Sequence, residues 1–240
     1  MRRDSSPLPS IRDGRLARRR CLAALGAGTV AATGGCLGNA IGSSGNVVLD
    51  EQTDGYDSEN LPYPSYGEPL PRVELPDALA GTTVATDSPD IEGRTLVVTA
   101  CYAFCPAECL LLIDSLSKVQ ATLIEDGADG VEFLAITFDP ERDTPSELEA
   151  NAERHDVNLE ASNWHCIRPT DAEAIEAIVA DDLGVIYERD GGTGGLYEFI
   201  HQTVTFLVNP GRRVERVYHA DAPEVARVSD DAAAVASAYT

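Results

Sequence analysis

Apolar residues form two short, nearly unbroken runs, Thr95-Leu-Val-Val-Thr-Ala100 and Val131-Glu-Phe-Leu-Ala-Ile-Thr-Phe138. Between them Leu110, Leu111, Leu112, Leu116, Val119, Leu123 and Ile124 recur at mainly helical spacing. The runs predict buried strands, and the spaced residues predict a helix with one buried face. Pro106 fits the first turn of that helix, where its missing N–H is no loss. Gly127 to Gly130 ends it. Thr144 can cap a second helix starting at Pro145, with Glu147 three residues on as in a capping box. A third helix is expected from about Asp171 to Asp182. Thr203-Val-Thr-Phe-Leu-Val208 and Val214-Glu-Arg-Val-Tyr218 flank Asn209-Pro-Gly-Arg212, a hairpin signal. Asp230 to Tyr239 can form a closing helix.

The order β-α-β-α-(β)-α-β-β-α predicts a single thioredoxin-like α/β domain, with a central mixed sheet flanked by helices, over residues 78–240. Two segments precede it. Residues 37–77 are rich in Gly, Ser, Pro and acids, and read as a disordered acidic linker. Residues 1–36 have a signal-peptide layout: the basic cluster Arg18-Arg-Arg20, then an apolar Gly/Ala-rich run too short and too weakly apolar to span a bilayer. The arginines resemble a twin-arginine export signal. Thr33-Gly-Gly-Cys36 resembles a lipobox, which would make Cys36 the lipidated first residue of an exported protein held on the outer face of the cell membrane. Gly191-Gly-Thr-Gly-Gly195 reads as a flexible loop with no phosphate-loop signature.

Charge sharpens the picture. The leader takes seven of the 18 basic residues and two of the 40 acidic ones, leaving 11 against 38 and a net charge of −27. Lys118 is the only lysine. Such a surface repels itself unless salt screens it, which points to an extreme halophile. It lacks the basic patch that phosphate binding needs, so nucleic acid is not an expected partner.

The chemistry lies at the end of the first strand. Cys101 and Cys105 stand in Thr99-Ala-Cys-Tyr-Ala-Phe-Cys-Pro106, and His201 follows far downstream in Phe199-Ile-His-Gln-Thr203. A helix N-terminus favours thiolate over thiol. Two thiolates suit Cu(I), and an added imidazole gives a Cys2His set for Cu(I) or Cu(II). The same thiols could instead form a redox pair or a static disulfide, although so short a loop would contribute little stability as a static bridge. Cys109, one helical turn beyond Cys105, reads as a buried helix-face residue or a spare thiol. Cys166 reads as a core residue, and His165 and His219 as surface or packing residues. His155 falls near the end of the second helix, where a cation suits the dipole.

From about Asp90 to Tyr218 the chain resembles the SCO/SenC family of copper-binding, thioredoxin-fold proteins that serve in assembling the dinuclear copper centre of cytochrome c oxidase. The resemblance rests on Cys101-x3-Cys105-Pro106, on Phe138-Asp-Pro-Glu-Arg-Asp-Thr-Pro145, and on His201 followed by Phe206-Leu-Val-Asn-Pro-Gly211, in that order. It implies that Cys101, Cys105 and His201 are copper ligands, with Asp139 beside the site. It also implies a membrane-anchored carrier whose partners are the copper-site subunit of an oxidase and a thiol reductant. The rival function is a thiol-disulfide oxidoreductase using the same two cysteines, with Cys101 attacking. The chain departs from the family at two places. The family usually has Pro after the first Cys, where this chain has Tyr102. It often has Asp before the His, where this chain has Ile200.

Overall fold

A computed structural model describes residues 47–52, 61–86, 91–191 and 197–239, all within one compact unit, Ile41–Thr240. The expected signal segment, Cys36 and most of the Gly191–Gly195 loop lie outside the described residues.

Five strands build the central sheet: β3 (Thr95–Cys101), β4 (Val131–Thr137), β5 (Trp164–Ile167), β8 (Thr205–Val208) and β9 (Val214–Tyr218), in the order β5-β4-β3-β8-β9. The β3–β4 and β4–β5 pairs are parallel, while β8 runs antiparallel to both β3 and β9. This is the mixed sheet expected from the pattern. Both apolar runs occupy its middle, and all seven residues of β3 and of β4 are buried. Strands covered on both faces need apolar side chains throughout, hence runs rather than alternation.

Helix α1 (Glu108–Glu125) turns Cys109, Leu112, Ile113, Leu116, Val119 and Leu123 inward. Gly127 ends it with φ +67°, its N–H bonding the Ile124 carbonyl at 3.1 Å. Helix α2 (Pro145–Arg154) starts as expected: Thr144 accepts from the Glu147 N–H at 3.3 Å. Helix α3 (Ala172–Ile175) runs on as a π-helical stretch, Glu176–Asp182. Helix α4 (Val225–Ala238) begins five residues before the expected closing helix and packs against α1.

Two features differ from expectation. The linker does not extend to residue 77. Tyr63, Leu70, Val73 and Leu75 are core residues, and β1 (Glu74–Pro76) pairs with β2 (Thr83–Ala85). Apolar residues too sparse to show a period are still buried in the core. Secondly, β6 (Tyr187–Asp190) and β7 (Glu198–His201) form a separate antiparallel ribbon. Its polar, four-residue strands carry no strong sequence signal. His201 ends β7.

Candidate metal centre

Strand β3 delivers the chain to the site. The Cys101 carbonyl accepts from Phe138 N–H at 3.2 Å, so the strand ends in register with the end of β4. The chain then turns through Tyr102–Ala107 before α1 begins. That turn is anchored from below by Asp143, a fully buried carboxylate that accepts from the Ala103 N–H at 3.1 Å and from Thr137 Oγ1 at 2.5 Å. Burial pushes the Asp143 carboxyl up to about 6. Sequence reasoning passed over Asp143, although it is the second aspartate of the Asp-Pro-Glu-Arg-Asp-Thr-Pro stretch.

The turn places Cys105 at the mouth of α1, and Cys109 follows one helical turn on. The Cys109 N–H points at Cys105 Sγ, 3.3 Å away. His201 Nε2 lies 3.8 Å from Cys105 Sγ and 3.5 Å from Cys109 Sγ. The three donor atoms lie within 4.8 Å of one another, close enough for a single ion to meet all three. The structure thus brings together Cys105 and His201, as expected, with Cys109 as the second sulfur.

Cys101 is not in this group. It closes a buried strand, is 6 % exposed, and burial pushes its thiol well up. The signal for Cys109 was available: Cys105-Pro-Ala-Glu-Cys109 has the same three-residue gap and supplies the proline after the first cysteine that Cys101 lacks. Cys109 is also buried, so the helix-face reading holds for its packing, while its sulfur lies among the candidate donor atoms.

The electrostatics favour one proton shared by the pair. Cys105 is pulled well down, first by the Cys109 thiol donating to it and then by His201 and the backbone N–H groups of Ala107 and Cys109. Cys109 is pushed up because it is that donor and because it is buried. Burial works against a charged His201, yet its bond to Cys105 raises its pKa. A dithiolate site forms only when the Cys109 proton leaves.

The imidazole is oriented without an acid before it. His201 Nδ1 faces the Gln202 carbonyl at 3.3 Å, and its ring packs against Phe138 at 5.3 Å and Tyr102 at 5.8 Å between centroids. A backbone acceptor on the second ring nitrogen fixes which nitrogen faces the metal. Asp139 makes no direct contact with the group. Its carboxylate accepts from Tyr197 Oη at 2.6 Å and from Arg142 Nε at 2.5 Å. Cys166 is buried in β5 as expected. Of the two readings for His165 the packing one holds: the ring is largely buried and bonds Asp77 and Glu132. Burial lowers the pKa of His155, which works against the cationic role at the α2 terminus.

The SCO1/SenC family model matches residues 79–236. No curated protein matches the sequence significantly. Among solved structures, a SCO1/SenC family lipoprotein from Bacillus anthracis is 21% identical, with a TM-score of 0.58 over 70% of this chain and 95% of that one. ScoI from Bradyrhizobium japonicum with copper bound is 21% identical, with a TM-score of 0.57 over 71% of this chain and 98% of that one. BsSco, a member of the Sco family of cytochrome c oxidase assembly proteins, is 18% identical, with a TM-score of 0.56 over 72% of this chain and 94% of that one. These likenesses establish the shared fold.

Proposed function

This chain belongs to the SCO1/SenC family, and from that premise we propose that it carries one copper ion on Cys105, Cys109 and His201 for the assembly of the copper centre of a terminal cytochrome oxidase. The observation that carries this reading is the convergence of two sulfurs and one imidazole nitrogen within 4.8 Å. Two soft thiolates hold Cu(I), and the imidazole extends the set to Cu(II). Copper here is cargo. Its arrival displaces the proton on Cys109, and its departure to an acceptor's thiols or imidazoles returns one. The oxidised pair could not serve as a dithiolate, so a thiol reductant is part of the cycle. The copper-bound relative with this fold supports the choice of metal, and the assembly role of the Sco family supports the destination. Export behind a twin-arginine-type signal, lipidation at Cys36 and a place on the outer membrane face belong to the same reading; they rest on the leader's residues alone.

The test is an anaerobic Cu(I) titration of the reduced protein beside Cys101→Ser, Cys109→Ser and His201→Ala. We expect one tightly held Cu(I) per chain, with affinity cut about tenfold or more by Cys109→Ser, a ligand loss at least as costly as the loss of an outer-shell partner, changed much less by His201→Ala, which leaves both sulfurs, and little changed by Cys101→Ser. A Cys101→Ser protein that loses copper while Cys109→Ser keeps it would restore the set first read from the sequence. No copper binding in any of them, with a reducible Cys105–Cys109 pair, would leave thiol-disulfide exchange as the function.

A further inference from the structure

His201 does not belong to the main sheet. It sits on the β6–β7 ribbon, which forms its own two-stranded sheet. A two-stranded ribbon is marginal by itself, so its side chains must hold it in place over the cysteines. Some of that hold is aromatic: Phe199 packs against Tyr102 and Phe138, each at 5.2 Å. The rest is a cluster around Tyr197, immediately before β7.

Arg142 joins both halves of the site. Its Nη1 donates to the Tyr197 carbonyl at 2.8 Å, and its guanidinium carbon lies 3.6 Å from the centre of the Tyr197 ring. The same carbon lies 5.2 Å from the Phe104 ring and 5.7 Å from the Tyr102 ring, both on the Cys105 turn. Arg189 lies over the same Tyr197 ring at 3.4 Å, so two cations meet one ring. Asp139 completes the cluster, accepting from both Tyr197 Oη and Arg142 Nε. Charge-assisted bonds and cation–π contacts of this kind are strongest when partly removed from water.

We propose that Arg142 and Tyr197, tied together by Asp139, are positioning residues that latch the His201 ribbon to the cysteine turn, and so set whether the imidazole joins the two sulfurs on the metal. The proposal rests on the copper-carrier reading for its consequence but not for its geometry. Two thiolates satisfy Cu(I) with little help, whereas Cu(II) needs the imidazole. Opening the latch therefore costs Cu(II) binding more than Cu(I) binding. It also gives a route for release, in which the ribbon lifts and leaves a two-sulfur site that an acceptor can invade.

The test uses the whole protein with Tyr197→Phe, Arg142→Lys and Arg142→Ala, and two readouts. The first is amide hydrogen exchange of the metal-free, reduced form. In Arg142→Ala, exchange at Phe199 to His201 should rise about tenfold, as expected for losing a charged hydrogen bond, while β3 and β4 stay unchanged. Tyr197→Phe keeps the stack and should show a smaller rise. Arg142→Lys should not restore the wild-type rate, because an ammonium lacks the planar face and the fixed fork of separate Nε and Nη donors. The second readout is copper itself. The thiolate-to-Cu(II) charge-transfer band and Cu(II) affinity of Arg142→Ala should move toward those of His201→Ala, with Cu(I) affinity within about threefold of wild type, since two sulfurs remain. Unchanged exchange at Phe199 to His201, or exchange raised equally in β3 and β4, would overturn the latch. So would equal losses of Cu(I) and Cu(II). If the wild-type protein binds no copper, the carrier reading fails, and hydrogen exchange still decides the latch.

Discussion

The imidazole of His165 lies between two carboxylates, with Nδ1 2.9 Å from Asp77 and Nε2 3.3 Å from Glu132. Burial opposes its charge, but the two acceptors outweigh that and raise it to about 9. Asp77 is lowered: its own burial is outweighed by the bond to His165 together with the Leu79 and Ala80 N–H bonds. Both shifts describe one interaction and count once. The folded state keeps a proton that the unfolded state releases near pH 6.5. Its stabilisation is therefore fully present below about pH 6.5 and is lost as pH rises through about 9. With a discount for partial exposure it amounts to about 2 kcal/mol. Urea unfolding of wild type and His165→Gln from pH 6 to 10 should show the stability gap between them closing over that window. A gap that stays constant would mean that the ion pair does not form.

Residue-scale chemistry was only half legible in the sequence. Cys101, Cys105 and Cys109 are evenly spaced, so cysteine spacing alone offers two overlapping pairs. The choice depends on where β3 stops, and a boundary shift of four residues changes which thiol is sealed in the strand. The proline at 106 argued for the later pair. Asp143 and Arg142 carry no periodic signal at all; their roles appear only when the β4 loop meets the cysteine turn.

At the scale of elements, long apolar runs were readable and short polar strands were not. Strands β3 and β4 and the body of α1 follow from pattern, and α2 from its cap as well, because each satisfies its backbone locally or buries a continuous face; the start of α1 does not, since it begins at Glu108, after Pro106, with no side-chain cap. Strands β6 and β7 exist through contacts made after the chain has folded back. The segment before residue 78 has the same character. Its Gly, Pro and acidic content reads as linker, yet Tyr63, Leu70, Val73 and Leu75 are each at most 6 % exposed. Gly184 shows how closely it is fitted: with φ +63°, a Cβ there would lie 2.1 Å from the Pro62 carbonyl oxygen. Losing four such side chains would remove about 6–12 kcal/mol of burial, comparable to the whole stability of a typical domain. A protein beginning at Ala78 should therefore lack a cooperative thermal transition by circular dichroism, whereas one beginning at Val47 should keep it. A sharp transition in the shorter chain would return the domain boundary to residue 78.

For the whole molecule, a net charge of −22 with a single lysine sets the conditions under which all of this operates. Even favourable pairs such as Arg142–Asp139 sit in a field that is negative overall, and unpaired carboxylates repel across the surface. Screening relieves that repulsion as the Debye length falls from roughly 10 Å at 0.1 M salt to 3 Å at 1 M. Self-repulsion opposes the compact state, so added KCl should raise the melting temperature, by about 5 °C or more if screening recovers roughly 2 kcal/mol. The shape of the curve identifies the cause. Screening acts mainly at low concentration and levels off once the Debye length is shorter than the spacing between carboxylates. Exclusion of salt from the surface keeps acting as concentration rises. Melting curves from 0.05 to 3 M KCl, with sucrose as an uncharged control, should show most of the gain at the low end and little effect of sucrose there. A rise that stays linear to 3 M and is matched by sucrose would assign the effect to solvent exclusion. A flat response would mean that the acidic surface is already neutralised by its own arginines and by its geometry.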